Sequence, residues 1–297
     1  MDAIATHDLC KRYGSRDVLR SVNLSVPAGS LLGFLGPNGA GKTTTIRILL
    51  GLLRATSGRA DVLGQDAWAR GPRVRAEVGY LPGDVRFRDD RTGRELLEFF
   101  NRARGGRARQ EMTRLQRAFD LDLDRRVRSY SRGMKQKLGL IQALMHRPRL
   151  VILDEPTTAL DPLVRETLND ELRRAVNEGR TVLFSSHTLS EVEELCDHVA
   201  IVRDGRLIEQ ERVEVLRARA VRRVEITLDG DGATRSPAPP ALVVSRRSGA
   251  ALCGSWSGPV RPLLDWLARE AVRDVVIAPP DLEDLFLAYY DRRGDAP

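Results

Sequence analysis

Short apolar runs that end in a small or acidic residue recur along the first 210 positions: LLGFLG (31–36), LVILDEP (150–156), TVLFSS (181–186) and HVAIV (198–202). Runs of this length, apolar throughout rather than alternating, predict strands buried on both faces of a parallel sheet. Between them lie helical patterns such as PLVRETLNDELRRAVNEG, which begins after Asp161 and stops at Gly179. Strand and helix in alternation predict an α/β domain. From about 92 to 146 the alternation stops, and TGRELLEFFNRA, ARQEMTRLQRAFDL and SRGMKQKLGLIQALMHR read as helices. A helical insertion, spanning about 85–146 at its widest, is therefore expected inside the α/β domain.

Beyond about Arg219 the pattern changes again. VRRVEITL, ALVVSR and ALCGSW read as strands around the Gly/Pro-rich DGDGATRSPAPP. A helix with Val260, Leu263, Leu264 and Leu267 on one face, a strand DVVIA and a last helix DLEDLFLAYY with Leu282, Leu285, Phe286 and Tyr289 on one stripe follow. The expected organisation is a domain over 1–218 and a small α+β accessory or dimerisation domain over 219–297.

Composition narrows the class. The chain has 297 residues and 42% apolar content, with no run near the roughly 18 apolar residues that a membrane span needs. Its start, MDAIATHDLCKRYG, has no apolar core of a signal peptide, so a cytoplasmic setting is expected. Cys10, Cys196 and Cys253 lie far apart, which predicts reduced structural thiols. The net charge of +7 invites a nucleic-acid reading, but the arginines of 70–128 are interleaved with acids, so a solvated mixed surface is expected and no nucleic-acid partner. Of 48 basic residues only Lys11, Lys42, Lys135 and Lys137 are lysines. A lysine kept in so arginine-rich a chain points to a place where a compact ammonium is wanted.

Lys42 stands in such a place. GPNGAGKTTT fits G-x-x-x-x-G-K-[ST] at Gly36, Gly41, Lys42 and Thr43, after a strand and opening a helix. The loop from Gly36 through Pro37, Asn38, Gly39, Ala40 and Gly41 to Thr44 is expected around phosphate oxygens, its glycines letting backbone N–H groups approach closely and the helix N-terminus adding partial positive charge. Lys42 then reaches the β- and γ-phosphates, and the Thr43 hydroxyl holds Mg²⁺. LVILDEP ends in Asp154 and Glu155, adjacent carboxylates that are costly at the end of a buried strand unless a cation waits there. Asp154 suits Mg²⁺, directly or through its water; Glu155 suits the orientation or deprotonation of the attacking water. TVLFSSH ends at His187, a γ-phosphate sensor in this reading.

Together these motifs resemble the ATP-binding cassette (ABC) ATPases over about residues 3–215, in the family's order. The fold this implies is an α/β P-loop NTPase with a helical insertion subdomain. KRYG places Tyr13 where that family stacks an aromatic on adenine, and TTALDP, with Asp161, looks like its D-loop. YSRGMKQ occupies the position of the family signature, matching it at Ser131 and Gly133 and departing at Tyr130, Arg132 and Met134. The resemblance implies that Ser131 and Gly133 serve ATP held on another subunit's phosphate loop, hence a homodimer or pairing with a homologous cassette. VGYLPGDVRF departs more clearly, with Gly83 and Asp84 where the family has a glutamine. YSRGMKQ, GYLPG and LEDLFLAYY together look like ATPases of ABC-2-type exporters. The implied role is an ATPase subunit on the cytoplasmic face of the membrane that powers a separate permease exporting drugs, antibiotics or other hydrophobic compounds. An importer ATPase, a soluble ATPase acting on nucleic acid and a phosphotransferase are the alternatives; the Ser131–Gly133 turn and His187 argue against the last.

Overall fold

The computed structural model describes residues 2–87, 90–219, 221–230, 234 and 236–280, and the chain divides after Arg212 into two compact units. In the first, β1 (Asp2–Tyr13), β2 (Arg16–Val22), β3 (Ser25–Pro27) and β4 (Leu31–Leu35) precede α1 (Lys42–Leu49). Then come β5 (Ser57–Val62), β6 (Gln65–Asp66), α2 (Gly71–Glu77) and β7 (Val78–Leu81). Three helices follow, α3 (Gly93–Ala103), α4 (Arg109–Ala118) and α5 (Arg132–Leu144). The unit closes with β8 (Leu150–Asp154), α6 (Pro162–Asn177), β9 (Thr181–Ser186), α7 (Leu189–Leu195), β10 (His198–Arg203) and β11 (Arg206–Arg212).

Two sheets share this unit. The larger runs β11-β10-β4-β9-β8-β7 and is parallel except for the edge strand β11. Every residue of β4, β8 and β9 is buried, as their unbroken apolar runs require. The second sheet, β2-β1-β5-β6 with β3 also on β1, is antiparallel and was not expected from the α/β reading of the N-terminal region. Its signal is weak for a physical reason. Irregular pairing breaks the register of β1 against all three of its partners, so DAIATHDLCKRY never shows a clean period of two.

Helix α1 lies in the core between these sheets. Ile46 and Leu49 pack with Leu32 and Phe34 of the parallel sheet and with Ile4, Leu9 and Val62 of the antiparallel one. Each such fully buried side chain contributes about 1.5–3 kcal/mol. The loop that leads into α1 is thereby held from both sides.

The insertion forms as its pattern predicts. TGRE makes a capping box on α3: Glu95 N donates to Thr92 Oγ1 at 3.1 Å and Thr92 N donates back to Glu95 Oε2 at 2.8 Å.

The second unit contains α8 (Val213–Arg219), β12 (Arg222–Leu228), β13 (Leu242–Ser248), β14 (Ala251–Trp256), α9 (Arg261–Leu267) and β15 (Val272–Pro280). Its antiparallel sheet, β13-β14-β12-β15, buries Val224, Ile226 and Trp256 against α9. The face of α9 differs from the expected one. Leu263, Trp266 and Leu267 are buried, at spacings of three and four, while Leu264 is half exposed. The apolar stripe read on 281–290 lies outside the described residues.

Candidate active site

Because the strands are parallel, their carboxyl ends share one edge, where ligands of such sheets collect. Leu35 pairs with Ser186 and Asp154 with Ser185, so the ends of β4, β8 and β9 are level. Gly36 N donates to Ser186 O at 3.2 Å as the chain leaves β4. The loop then bends back into α1 through Gly41, whose φ of +107° only glycine adopts without strain. A side chain there would also strike Leu19 of β2, so the β1–β2 hairpin lies directly behind the loop.

Lys42 is 4% exposed and folds over its own loop. Its Nζ donates to Gly36 O at 2.6 Å and Pro37 O at 3.2 Å, and stands 3.3 Å from Glu155 Oε1. Thr43 Oγ1 donates to Asp154 Oδ2 at 2.8 Å. The second Asp154 oxygen accepts from Ser185 Oγ at 2.7 Å. A carboxylate buried to this degree is costly unless both oxygens are answered. Here each has a hydroxyl, at about 1.5–3 kcal/mol per charged hydrogen bond.

Consecutive strand residues point to opposite faces, yet Asp154 and Glu155 both serve this edge. The backbone of Glu155 explains how. It leaves the strand with φ of +49°, a left-handed conformation that costs a non-glycine residue roughly 1–2 kcal/mol. Glu155 N is held there by Ser185 O at 3.2 Å and Ser185 Oγ at 3.0 Å. The turn brings the Glu155 carboxylate to Lys42 on one side and to His187 Nδ1, at 3.6 Å, on the other. The chain on either side of His187 is tied down. Ser186 Oγ donates to Glu191 Oε2 at 2.7 Å and accepts from Thr188 N at 2.9 Å. Beside Asp154, burial and that carboxylate push the Tyr80 phenol up to about 12, so it stays protonated.

The structure thus joins Gly36, Pro37, Lys42, Thr43, Asp154, Glu155 and His187 in one contact set. Asn38, Gly39, Ala40 and Thr44 lie on the same loop and first turn. Tyr13 sits half exposed at the tip of the β1–β2 hairpin, with Lys11 Nζ 4.9 Å from its ring centre. Gly83 does reach the site: a side chain built on it would meet Asp154 Oδ2 at 3.6 Å. Asp84 is exposed and paired with Arg86 at 2.7 Å.

Ser131 and Gly133 form a second cluster. Ser131 caps α5, accepting from Met134 N at 3.2 Å, and no hydrogen bond among the described residues joins it to the phosphate loop. Asp161 caps α6 in the same way, accepting from Val164 N at 3.0 Å. The turn at Gly133 is pressed on the loop after β8, where a Cβ would stand 2.8 Å from Ala159 O. Buried Gln136 adds a hydrogen bond from Nε2 to Pro156 O at 2.9 Å. Ser185 and Gln136 are the buried polar residues at this site that sequence reasoning missed. The available signal was polarity at positions where the run or the helix face is otherwise apolar.

An N-terminal helix turn behind a glycine loop, faced by a strand-end carboxylate pair, defines a P-loop nucleotide triphosphatase. Comparisons with known proteins specify which kind. The family model for the ABC transporter domain matches residues 19–158. The chain is 37% identical over 228 residues to the bacitracin transport ATP-binding protein BcrA of Bacillus licheniformis, covering 76% of this chain and 74% of that protein. It is 39% identical over 221 residues to the daunorubicin resistance ATP-binding protein DrrA3 of Streptomyces coeruleorubidus, covering 73% and 70%. A solved ATP-binding subunit of an ABC transporter superposes with a TM-score of 0.66 at 31% identity, over 73% of this chain and 92% of that one. The chain belongs to the ABC transporter ATP-binding proteins, and it is an ATP-hydrolysing nucleotide-binding subunit.

Proposed function

We propose that the chain drives a separate export permease, at the cytoplasmic face of the membrane, by closing and opening as a dimer of cassettes around ATP. The convergence of Lys42, Thr43, Asp154, Glu155 and His187 on the edge of the parallel sheet carries this reading. In it, the loop amides from Gly36 to Thr44 and the Lys42 ammonium bind the phosphates. Glu155 accepts a proton from the attacking water and is oriented for this by the strained turn. His187 contacts the γ-phosphate on the far side of that carboxylate, and Tyr13 stacks on adenine.

Mg²⁺ fits the donors present. Thr43 Oγ1 and Asp154 Oδ2 are hard oxygen donors 2.8 Å apart and would hold the ion. When bound, the ion supplies positive charge to the phosphate oxygens. Ser131 and Gly133, and Asp161 on the loop that Gly133 packs against, serve a partner cassette's nucleotide, so two chains complete two sites.

The transport reading is supported by the relatives named for bacitracin transport and daunorubicin resistance. They favour an exporter of hydrophobic compounds. No helix among the described residues is long and apolar enough to cross a membrane, which accords with a separate membrane partner. An apolar groove of 340 Å³ lined by Leu52, Tyr80, Val85, Phe87 and Phe100 lies where the insertion meets the sheet, a suitable seat for that partner. Glu155→Gln tests the reading: turnover falls about 10²–10⁴-fold while an ATP-bound dimer accumulates on gel filtration. Full turnover in this variant removes Glu155 from its role. Purification from native membranes with nucleic acid and no membrane subunit refutes the transport assignment.

A further inference from the structure

A second polar cavity, of 960 Å³, opens between the helical insertion and the α/β layer, walled by the ends of α3 and α5 and by the flanks of α4 and α6. Arg104, Arg107, Arg114, Arg117, Arg147 and Arg174 line it, against one lining carboxylate, Glu111. The inner wall is fixed. Arg114 forks onto Glu111 at 2.7 Å and Glu171 at 2.5 Å, which holds its pKa far above the ordinary guanidinium value against the opposing effect of burial. Glu178, behind the wall, is shared by Arg147 at 2.9 Å, Arg174 at 3.1 Å and Arg180 at 2.8 Å.

The remaining guanidiniums have no such answer. Arg107 and Arg117 are exposed at the mouth with no carboxylate partner among the described residues. Arg104 is half-buried, and its Nη1 meets an imidazole nitrogen, His146 Nε2, at 2.7 Å. Burial and that guanidinium push His146 down to about 4, so it is neutral beside Arg104. Like charges gathered in a concave, partly desolvated site raise the local concentration of counter-ions. Planar forks at several angles match the oxygens of clustered phosphates better than those of a single carboxylate.

We propose that this cavity binds a phosphate-rich anion, a di- or triphosphate group, separate from the nucleotide on the Lys42 loop. Such a ligand takes its charge from Arg107 and Arg117 of the insertion and lies against Arg174 of α6, which stays paired with Glu178, and so braces the insertion against the α/β layer. The charge chemistry is common to a soluble polyphosphate ester and a multiply charged phospholipid headgroup.

The test uses the whole chain saturated with Mg-ADP, with inorganic pyrophosphate as probe in calorimetry. One further binding event is expected, weakened by high salt, accompanied by slower hydrogen exchange in α4 and retained in Lys42→Ala. Arg107→Ala/Arg117→Ala should weaken it at least 10-fold with basal ATPase turnover unchanged. Phosphatidylcholine vesicles with and without cardiolipin form the second arm. Binding that needs cardiolipin and is lost in the double variant assigns the headgroup as the source. Absence of both events, an unchanged affinity in the double variant, or equally tight binding of poly-glutamate overturns the proposal.

Discussion

Ser185→Ala removes a hydroxyl that neither binds nucleotide nor shows at the surface, so its effect isolates how the strand end is built. Ser185 is fully buried; its Oγ donates to Asp154 Oδ1 at 2.7 Å and accepts from Glu155 N at 3.0 Å. Glu155 N keeps Ser185 O, so that donor is not orphaned. The loss falls on a buried carboxylate oxygen, and a charged hydrogen bond of this kind is worth about 1.5–3 kcal/mol. Urea-dependent hydrogen exchange of peptides from β8 and β9 reads this loss in the first unit alone. In an Asp154→Asn background the acceptor is neutral and the same substitution should cost about 0.5–1.5 kcal/mol, leaving a coupling energy of about 1 kcal/mol. Turnover should fall about 10–100-fold, as when a group that orients a metal ligand is removed. A stability loss below about 0.5 kcal/mol, or equal losses in the two backgrounds, would refute the argument that Ser185 sustains the Asp154 charge.

Lys42→Ala should abolish productive ATP binding, read as loss of both nucleotide affinity and phosphate release; unchanged values contradict the phosphate-loop assignment. Gly133→Ala forces a methyl to 2.8 Å from Ala159 O, an overpacking that costs about 1–3 kcal/mol and should lower turnover, checked by thermal melts and a phosphate assay. His146 titrates near 4 when folded against an ordinary 6.5, so between those pH values the unfolded chain binds more protons and stability rises with pH. His146→Gln should lose that part of the slope, about 3 kcal/mol across the window in pH-dependent urea melts.

The parallel sheet was legible because burial on both faces writes uninterrupted apolar runs, and the phosphate loop because its chemistry needs a fixed spacing. The antiparallel sheet was not, since breaks in the register of β1 erase the alternation that would announce it. Leu264 misled for a related reason: on a seven-residue helix one large apolar side chain can belong to either side, and only Trp266 decides which side packs. Ser185 was hidden in plain text, because a serine at the end of an apolar run looks like a terminator until Asp154 is seen opposite it. The left-handed turn at Glu155 has no sequence signature, since the residue carrying it is not glycine.

The packing of Gly133 beneath Ala159 bears on how mutant subunits behave in mixture. In the dimer proposed above, a chain lacking Lys42 and a chain lacking the Ser131 hydroxyl complement one another, because their mixed pair retains one site with both halves intact. Gly133 falls outside this arithmetic. Its substitution strikes the turn offered to the neighbour and, through Ala159, the loop following the chain's own Glu155. Such an allele damages sites in cis and in trans, and so behaves as dominant where its neighbours are recessive.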